Sequence, residues 1–133
     1  MALIVDADVI IRGERGLFDL ASWLEAQADE GPQIAAITVA ELWHGVQRAT
    51  TPHRARREAY LKMIFDTLLI IPYTEVTAME HARLWAELES SGKMIGYYEL
   101  IVAATALEHG IAVATFNRRH FSQVRGLKVI VPA

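Results

Sequence analysis

Three acidic residues far apart in the chain, Asp6, Glu41 and Glu99, have the types and settings of ligands for a hard cation. Asp6 closes the apolar run Leu3-Ile4-Val5, Glu41 follows the apolar run Ile34 to Ile37, and Glu99 opens a helix after the helix-breaking Gly96. In an open parallel sheet, residues at the carboxyl ends of strands face the crevice where ligands bind, and the first turns of the following helices lie along the same edge. Carboxylates gathered there repel and raise one another's pKa unless a cation compensates. Magnesium usually takes only one or two carboxylates directly and keeps several waters, so three or four acids suit one or two ions. With a phosphate bound, such ions activate a water, hold it in line and stabilise the leaving oxygen, which makes phosphodiester hydrolysis the expected reaction class.

Each acid also has an ordinary structural use. Thr38-Val39-Ala40-Glu41 reads as a capping box at the start of a helix over Thr38–Arg48. Asp6 reads as a turn-forming Asx residue, and Asp8 as the cap of a short helix beginning near Val9. Glu99 in a first helical turn gains about 0.3–1 kcal/mol from the helix dipole. None of these uses explains why all of them should meet at one edge.

The elements that must position them are legible as alternating patterns. Apolar runs at Leu3–Val5, Ile34–Ile37, Leu68–Ile71, Ile111–Ala114 and Val129–Val131 are continuous rather than alternating, as strands buried on both faces of a parallel sheet require. Between them lie helical patterns over Gly16–Ala28, Thr38–Arg48, Arg54–Phe65, Thr74–Ser90 and Glu99–His109. The alternation predicts right-handed βαβ crossovers and a three-layer α/β/α sandwich with a parallel sheet of about five short strands.

The chain of 133 residues fits one domain over 1–133. Its apolar fraction of 53% exceeds the ~45–50% usual for a soluble domain, which leaves some apolar surface for a partner. The absence of cysteine excludes disulfides and thiolate metal sites and fits the cytoplasm. No apolar stretch approaches the ~18 residues needed to span a bilayer, and Met1–Ile10 has no basic leader, so neither membrane anchor nor signal peptide is expected. A net charge of −3 excludes a polycation, so contact with nucleic acid must rest on a local basic patch.

Four segments, Ile4 to Ile10, Ile37 to Gly45, Ile95 to Ala104 and Ala114 to Phe121, resemble in order and spacing the four signature blocks of PIN-domain ribonucleases, and most of all the VapC-like toxins of bacterial toxin–antitoxin pairs. The resemblance implies the PIN-domain fold. It also implies a Mg2+-dependent endoribonuclease, with Mn2+ as the alternative ion, that cuts structured RNA to 5′-phosphate and 3′-hydroxyl ends and so inhibits translation. The partners it implies are RNA, a second copy of the chain and a small VapB-like antitoxin. The apolar faces of Arg54–Phe65 and Thr74–Ser90 are the expected docking surfaces for that antitoxin, by helix-in-groove packing.

Carried over residue by residue, the resemblance makes Asp6, Glu41 and Glu99 the metal acids and places Asn117 at the fourth catalytic position, where many members have Asp. The family commonly has Asp where this chain has Glu99, and the extra methylene moves the carboxylate by about 1.5 Å. Asp8 stands as an auxiliary acid. Thr38 and Thr115 fit supporting roles, orienting carboxylates or water by hydrogen bonds. Arg12 and Arg15 after the first strand, and Arg118, Arg119 and His120 after the fourth, are candidates to hold an RNA backbone. His44 is expected to pack or face water, and Trp23, Trp43 and Trp85 to serve core or interface.

The same residues allow two other readings. Asp6-Ala7-Asp8 after a strand also opens haloacid-dehalogenase-type phosphotransferases, but Ile10 stands where that family expects Thr or Val, and no Gly-Asp pair follows Ile111 to Thr115. The alternative that Glu99 and Asn117 raise is a catalytically decayed PIN-like domain that binds RNA or a protein without cutting.

Overall fold

Five short strands form one parallel sheet: β1 (Leu3–Val5), β2 (Pro32–Ala35), β3 (Leu69–Ile71), β4 (Ala112–Ala114) and β5 (Val129–Ile130), in the order β3-β2-β1-β4-β5. The computed structural model describes residues 2–133. Among the described residues, seven α-helices connect the strands: α1 (Ala7–Glu14), α2 (Leu20–Ala26), α3 (Ala36–Arg48), α4 (Thr51–Thr67), α5 (Glu75–Ser91), α6 (Tyr97–His109) and α7 (Arg118–Phe121). Alternate residues of the strands bury opposite faces. Leu3 and Val5 of β1 pack with Ile34, Ala112, Ala114, and with Leu20, Leu61 and Ile64 of α2 and α4. Ile4 packs with Val113 against Leu84 and Leu88 of α5, Leu100 and Val102 of α6, and Phe121 of α7. This is the predicted α/β/α sandwich, with a core on each side of the sheet. Among the described residues, no helix is long and apolar enough to cross a membrane.

The strand order reverses beside β1: the chain moves outward through β2 and β3, then returns to place β4 on the other flank. The carboxyl ends of β1 and β4 therefore border the crevice where open α/β sheets bind ligands. Asp6 follows β1 and Thr115 follows β4, and the Asp6 N–H donates to the Ala114 carbonyl at 2.9 Å.

Several boundaries differ from the expected ones for identifiable reasons. β2 ends at Ala35 rather than Ile37, because its partner β3 pairs through Ile71 and Pro72 follows. Helix α3 consequently begins at Ala36, two residues early, which moves Glu41 into the second turn and leaves the expected Thr38–Glu41 capping box unformed. The helix after β1 starts at Ala7 with Asp6 as its cap, so Asp8 lies inside the first turn rather than capping a helix at Val9. The pattern expected over Gly16–Ala28 condenses to Leu20–Ala26: Gly16 takes a left-handed φ of 71°, and Asp19 starts a new helix by accepting from the Ser22 N–H at 3.1 Å. Helix α4 runs longer than Arg54–Phe65, with Pro52 in its first turn where the missing N–H is harmless.

Helices α1 and α2 cross so closely that a methyl group at Gly13 would lie 2.6 Å from Leu20 Cβ and 2.9 Å from the Tyr60 hydroxyl. Gly13→Ala is expected to cost about 1–3 kcal/mol by overpacking, despite the ~1 kcal/mol that alanine gains in a helix interior. Urea denaturation measures this, and a stabilised variant would show that the crossing yields freely.

Candidate active site

At the switch point, Asp6, Asp8, Glu41, Glu99 and Asn117 line one pocket of about 280 Å3, rimmed by Gly96, Tyr97 and Tyr98. They reach it from four elements: Asp6 from the N-cap of α1 and Asp8 from its first turn, Glu41 from the second turn of α3, Glu99 from the first turn of α6, and Asn117 from the residue capping α7. Among the described residues, no lysine or arginine lines the pocket.

A hydroxyl ties the two strand ends together. The Asp6 carboxylate accepts from the Ala7 N–H at 2.9 Å with Oδ1 and from Thr115 Oγ1 at 2.8 Å with Oδ2. Thr115 Oγ1 lies 3.3 Å from both Asp8 oxygens and itself accepts from the Asn117 N–H at 2.9 Å. Asp8 accepts from the Phe116 N–H at 3.0 Å. Asp6 is 7% exposed and Thr115 fully buried, so the rotamers of this pair are fixed by packing as well as by bonding.

Across the pocket, Glu99 is fully engaged. Its Oε1 accepts from the Gly96 N–H at 3.0 Å and meets His120 Nδ1 at 2.7 Å, while Oε2 accepts from Asn117 Nδ2 at 2.5 Å. The carboxylate thereby sets the orientation of both neighbours: the Asn117 amide must present its NH2 group, and His120 its Nδ1–H. Glu41, by contrast, makes no hydrogen bond or ion pair among the described residues and is half-buried.

The electrostatics follow from this crowding. Burial, then the charges of Asp8 and Glu41, push Asp6 up from 3.8 to about 7 against the lowering effect of its bonds to Thr115 and Ala7. Burial also raises Asp8, offset by the Phe116 N–H and the Thr115 hydroxyl. Glu41 is raised by burial and by the charges of Glu99 and Asp8. A partly buried set of carboxylates whose members resist ionising together has the chemistry of a hard-cation site. Among the described residues no three acids or histidines stand in an arrangement that would ligate one ion, so these side chains suit a cation held by one or two carboxylates with oxygens from water or substrate completing its shell.

The model of the family described as the PIN domain matches residues 3–127. The chain belongs to the PIN domain family. A curated relative, ribonuclease VapC1 of Rickettsia felis, is 30% identical over 132 residues, covering 98% of this chain and 96% of the relative. Among solved structures, VapBC2 from Rickettsia felis, bound to a DNA fragment from the promoter, superposes with a TM-score of 0.91 over the whole of both chains at 22% identity, a likeness of fold. VapBC-5 from Mycobacterium tuberculosis, described as a member of the VapBC family of toxin–antitoxin systems, superposes with a TM-score of 0.74 at 26% identity, covering 98% of this chain and 99% of that one.

Of the residues singled out in the sequence, this PIN domain brings Asp6, Asp8, Glu41, Glu99 and Asn117 into one pocket, with Thr115 beneath them. Thr38 is buried, but its hydroxyl has no hydrogen-bond partner and orients none of the four carboxylates, because α3 starts early enough to place it at the third helical position. The arginines do not line the pocket. Arg12 lies over the Phe116 ring at 4.4 Å, Arg118 and Arg119 are exposed on α7, and Arg15 borders a neighbouring cavity. His44 is exposed as expected; Trp23 is core, Trp43 packs on Phe65, and Trp85 stacks on His81 while 46% exposed.

His120 was grouped in the sequence with the phosphate-binding cations, whereas in this PIN domain it bonds the Glu99 carboxylate. The signal available was its spacing, one helical turn after Asn117 on the same face. Tyr97 and Tyr98 were also missed; they meet edge to face at 5.5 Å on the pocket rim.

Proposed function

We propose that this chain is a divalent-cation-dependent endoribonuclease, the toxin of a toxin–antitoxin pair, which hydrolyses RNA phosphodiester bonds in the cytoplasm and so stops translation. In this reading residues 1–133 act as one nuclease domain. The observation that carries it is the gathering of four carboxylates and an asparagine at the sheet's switch point, in a PIN domain with a ribonuclease relative aligned over nearly its whole length.

Asp6 and Glu41 would hold the cation, Mg2+ or Mn2+, directly and Glu99 through water, and once bound it would supply charge for the phosphate and for the attacking water. Thr115 holds Asp6 in a single rotamer and shares its hydroxyl with Asp8. Asn117 and His120 brace Glu99, whose oxygens are already bonded and which therefore acts through water. Arg12, Arg15, Arg118 and Arg119 contact the RNA backbone outside the pocket. A second reading, a PIN domain that binds RNA without cutting it, is favoured by that bracing of Glu99 and by the neutral Asn117. Incubating the purified protein with bulk tRNA separates the two. The nuclease reading expects fragments with 5′-phosphate and 3′-hydroxyl ends in Mg2+ or Mn2+ and none in EDTA; binding without cleavage in either metal supports the second reading.

The apolar surface suits two protein partners. A cleft of about 370 Å3 between α2 and α4, lined by Leu24, Met63, Ile64 and Leu68, accepts an apolar helix of a small antitoxin. The exposed Val76, Met79 and Trp85 of α5 are offered to a second copy of the chain.

Stability should carry the mark of the acidic pocket. Because the folded pKa of Asp6, about 7, lies above its ordinary 3.8, the folded protein binds a proton that the unfolded chain releases, and ionised Asp6 destabilises the fold above neutral pH. In EDTA the melting temperature is expected to rise as pH falls from 8 towards 5, and millimolar Mg2+ should flatten that rise by compensating the ionised form. Calorimetric scans test this; a melting temperature that falls over that range and ignores Mg2+ would contradict it.

A further inference from the structure

A cavity larger than the acidic pocket lies elsewhere on the molecule. It measures about 570 Å3 and lies between the C-terminal end of α1 and the N-terminal half of α4, lined among others by Arg15, His53, Arg56, Arg57 and Tyr60. We infer that this cavity is a second RNA-contact site, which holds backbone phosphates of the substrate a few nucleotides from the bond to be cut. The inference rests on the ribonuclease reading for the identity of the ligand, but its own evidence is the state of the arginines.

The arginines of this region divide by what they bond. Arg57 is spent on structure: its guanidinium pairs with Glu14 at 3.3 Å and donates to the Gly45 carbonyl at 3.0 Å. Arg54 likewise donates to the carbonyls of Val46 and Gln47 at the end of α3. Among the described residues Glu14 is the one acid lining the cavity, and Arg57 neutralises it. The guanidinium groups of Arg15 and Arg56 make no hydrogen bond or ion pair among the described residues, and both side chains line the cavity. Two guanidinium groups in excess, with His53 and Tyr60 beside them, form a local cationic site in a chain of net charge −3. Planar guanidinium forks match phosphate oxygens in pairs. The seventeen-residue helix α4 adds the positive end of its dipole, since Thr50 makes no side-chain cap bond there.

Helix α1 connects the two sites. Asp6 caps its N-terminus in the acidic pocket and Arg15 its C-terminus at the cavity. Nine residues of helical rise separate them by roughly 13 Å. A stacked strand covers that distance in about four nucleotides at ~3.4 Å each. RNA placed with a phosphate at Asp6 would therefore run its neighbouring phosphates along α1 to Arg15 and Arg56. An acidic peptide would satisfy the same charges, but only a polyanion that also enters the acidic pocket accounts for both sites lying on one helix.

The test is the binding of fluorescently labelled tRNA to the full chain in EDTA, where no cleavage intervenes, for wild type, for Arg15→Glu with Arg56→Glu, and for a matched charge reversal of the exposed Arg125→Glu with Lys128→Glu. The cavity variant is expected to bind at least tenfold more weakly and to flatten the slope of log affinity against log salt by about 1.5, as the loss of two phosphate contacts requires. Its melting temperature should match that of the control variant, which excludes misfolding as the cause. Equal weakening in both variants, no measurable tRNA binding by wild type, or poly-glutamate displacing tRNA at equal charge concentration would each overturn the inference. Because binding is read without cleavage, a protein that binds tRNA through the cavity yet never cuts it would sink the nuclease reading alone. One that cuts tRNA equally well with and without the two arginines would sink only the cavity.

Discussion

Asp6→Asn is expected to remove RNA cleavage by three orders of magnitude or more while making the protein more stable. The two effects share one cause. Asp6 is the most buried of the pocket acids, and its ionised form is opposed first by burial and then by Asp8 and Glu41. The shift from 3.8 to about 7 bounds the penalty of holding it ionised at about 4 kcal/mol, at 1.36 kcal/mol for each tenfold step. Asparagine keeps the shape, remains a good helix cap and can still accept from the Ala7 N–H. The Thr115 hydroxyl, released from Asp6, remains within 3.3 Å of Asp8. What asparagine cannot do is balance a cation. Several kcal/mol of charge stabilisation at the phosphate would be lost, and ~4 kcal/mol corresponds to a roughly thousandfold slower reaction. Single-turnover cleavage and thermal melting on the same preparation check both halves. A variant that melts lower and still cuts would contradict the role given to Asp6.

Phe121→Ala should produce the largest loss of stability of any substitution near the site, about 3–5 kcal/mol. Phe121 is fully buried against the core formed by Ile4, Leu100, Val102 and Val113. Helix α7 has only four residues and could not persist alone. The ring is its anchor, so the cavity left by alanine would be filled by movement of the helix itself. Asn117 caps that helix and His120 lies within it, and both brace Glu99. Cleavage is therefore expected to fall together with stability, although Phe121 does not line the pocket. Urea denaturation gives the first quantity, and a loss below 1 kcal/mol would show that α7 is held by other contacts.

The sheet was legible because its strands are continuous apolar runs, and burial of Leu3, Ile4 and Val5 on both faces is what such a run encodes. The convergence of the acids was legible for the same reason, since strand ends and the turns after them share an edge. What the sequence concealed were features decided by pairing and packing. Where β2 stops depends on β3 and Pro72, and that boundary moved Thr38 and Glu41 by two helical positions and dissolved a capping box that is sound as a local motif. The link from His120 to Glu99 spans 21 residues and exists only because α7 docks on α6. Ion pairing sorted the arginines: Arg57 and Arg15 look alike in the chain, yet only Arg57 meets an acid. The helix expected to begin near Val9 begins instead at Ala7, because Asp6 rather than Asp8 takes the extended backbone of a cap.

The central claim, that distant carboxylates meet at the end of β1 to hold a divalent cation for RNA hydrolysis, is tested most directly by titrating Mn2+ calorimetrically into the wild-type protein and into Asp6→Asn at pH 7.5, with a non-cleavable RNA analogue present. Saturable uptake by the wild type and its loss in the variant is the predicted result. Equal uptake by both proteins, or none by either, would contradict it.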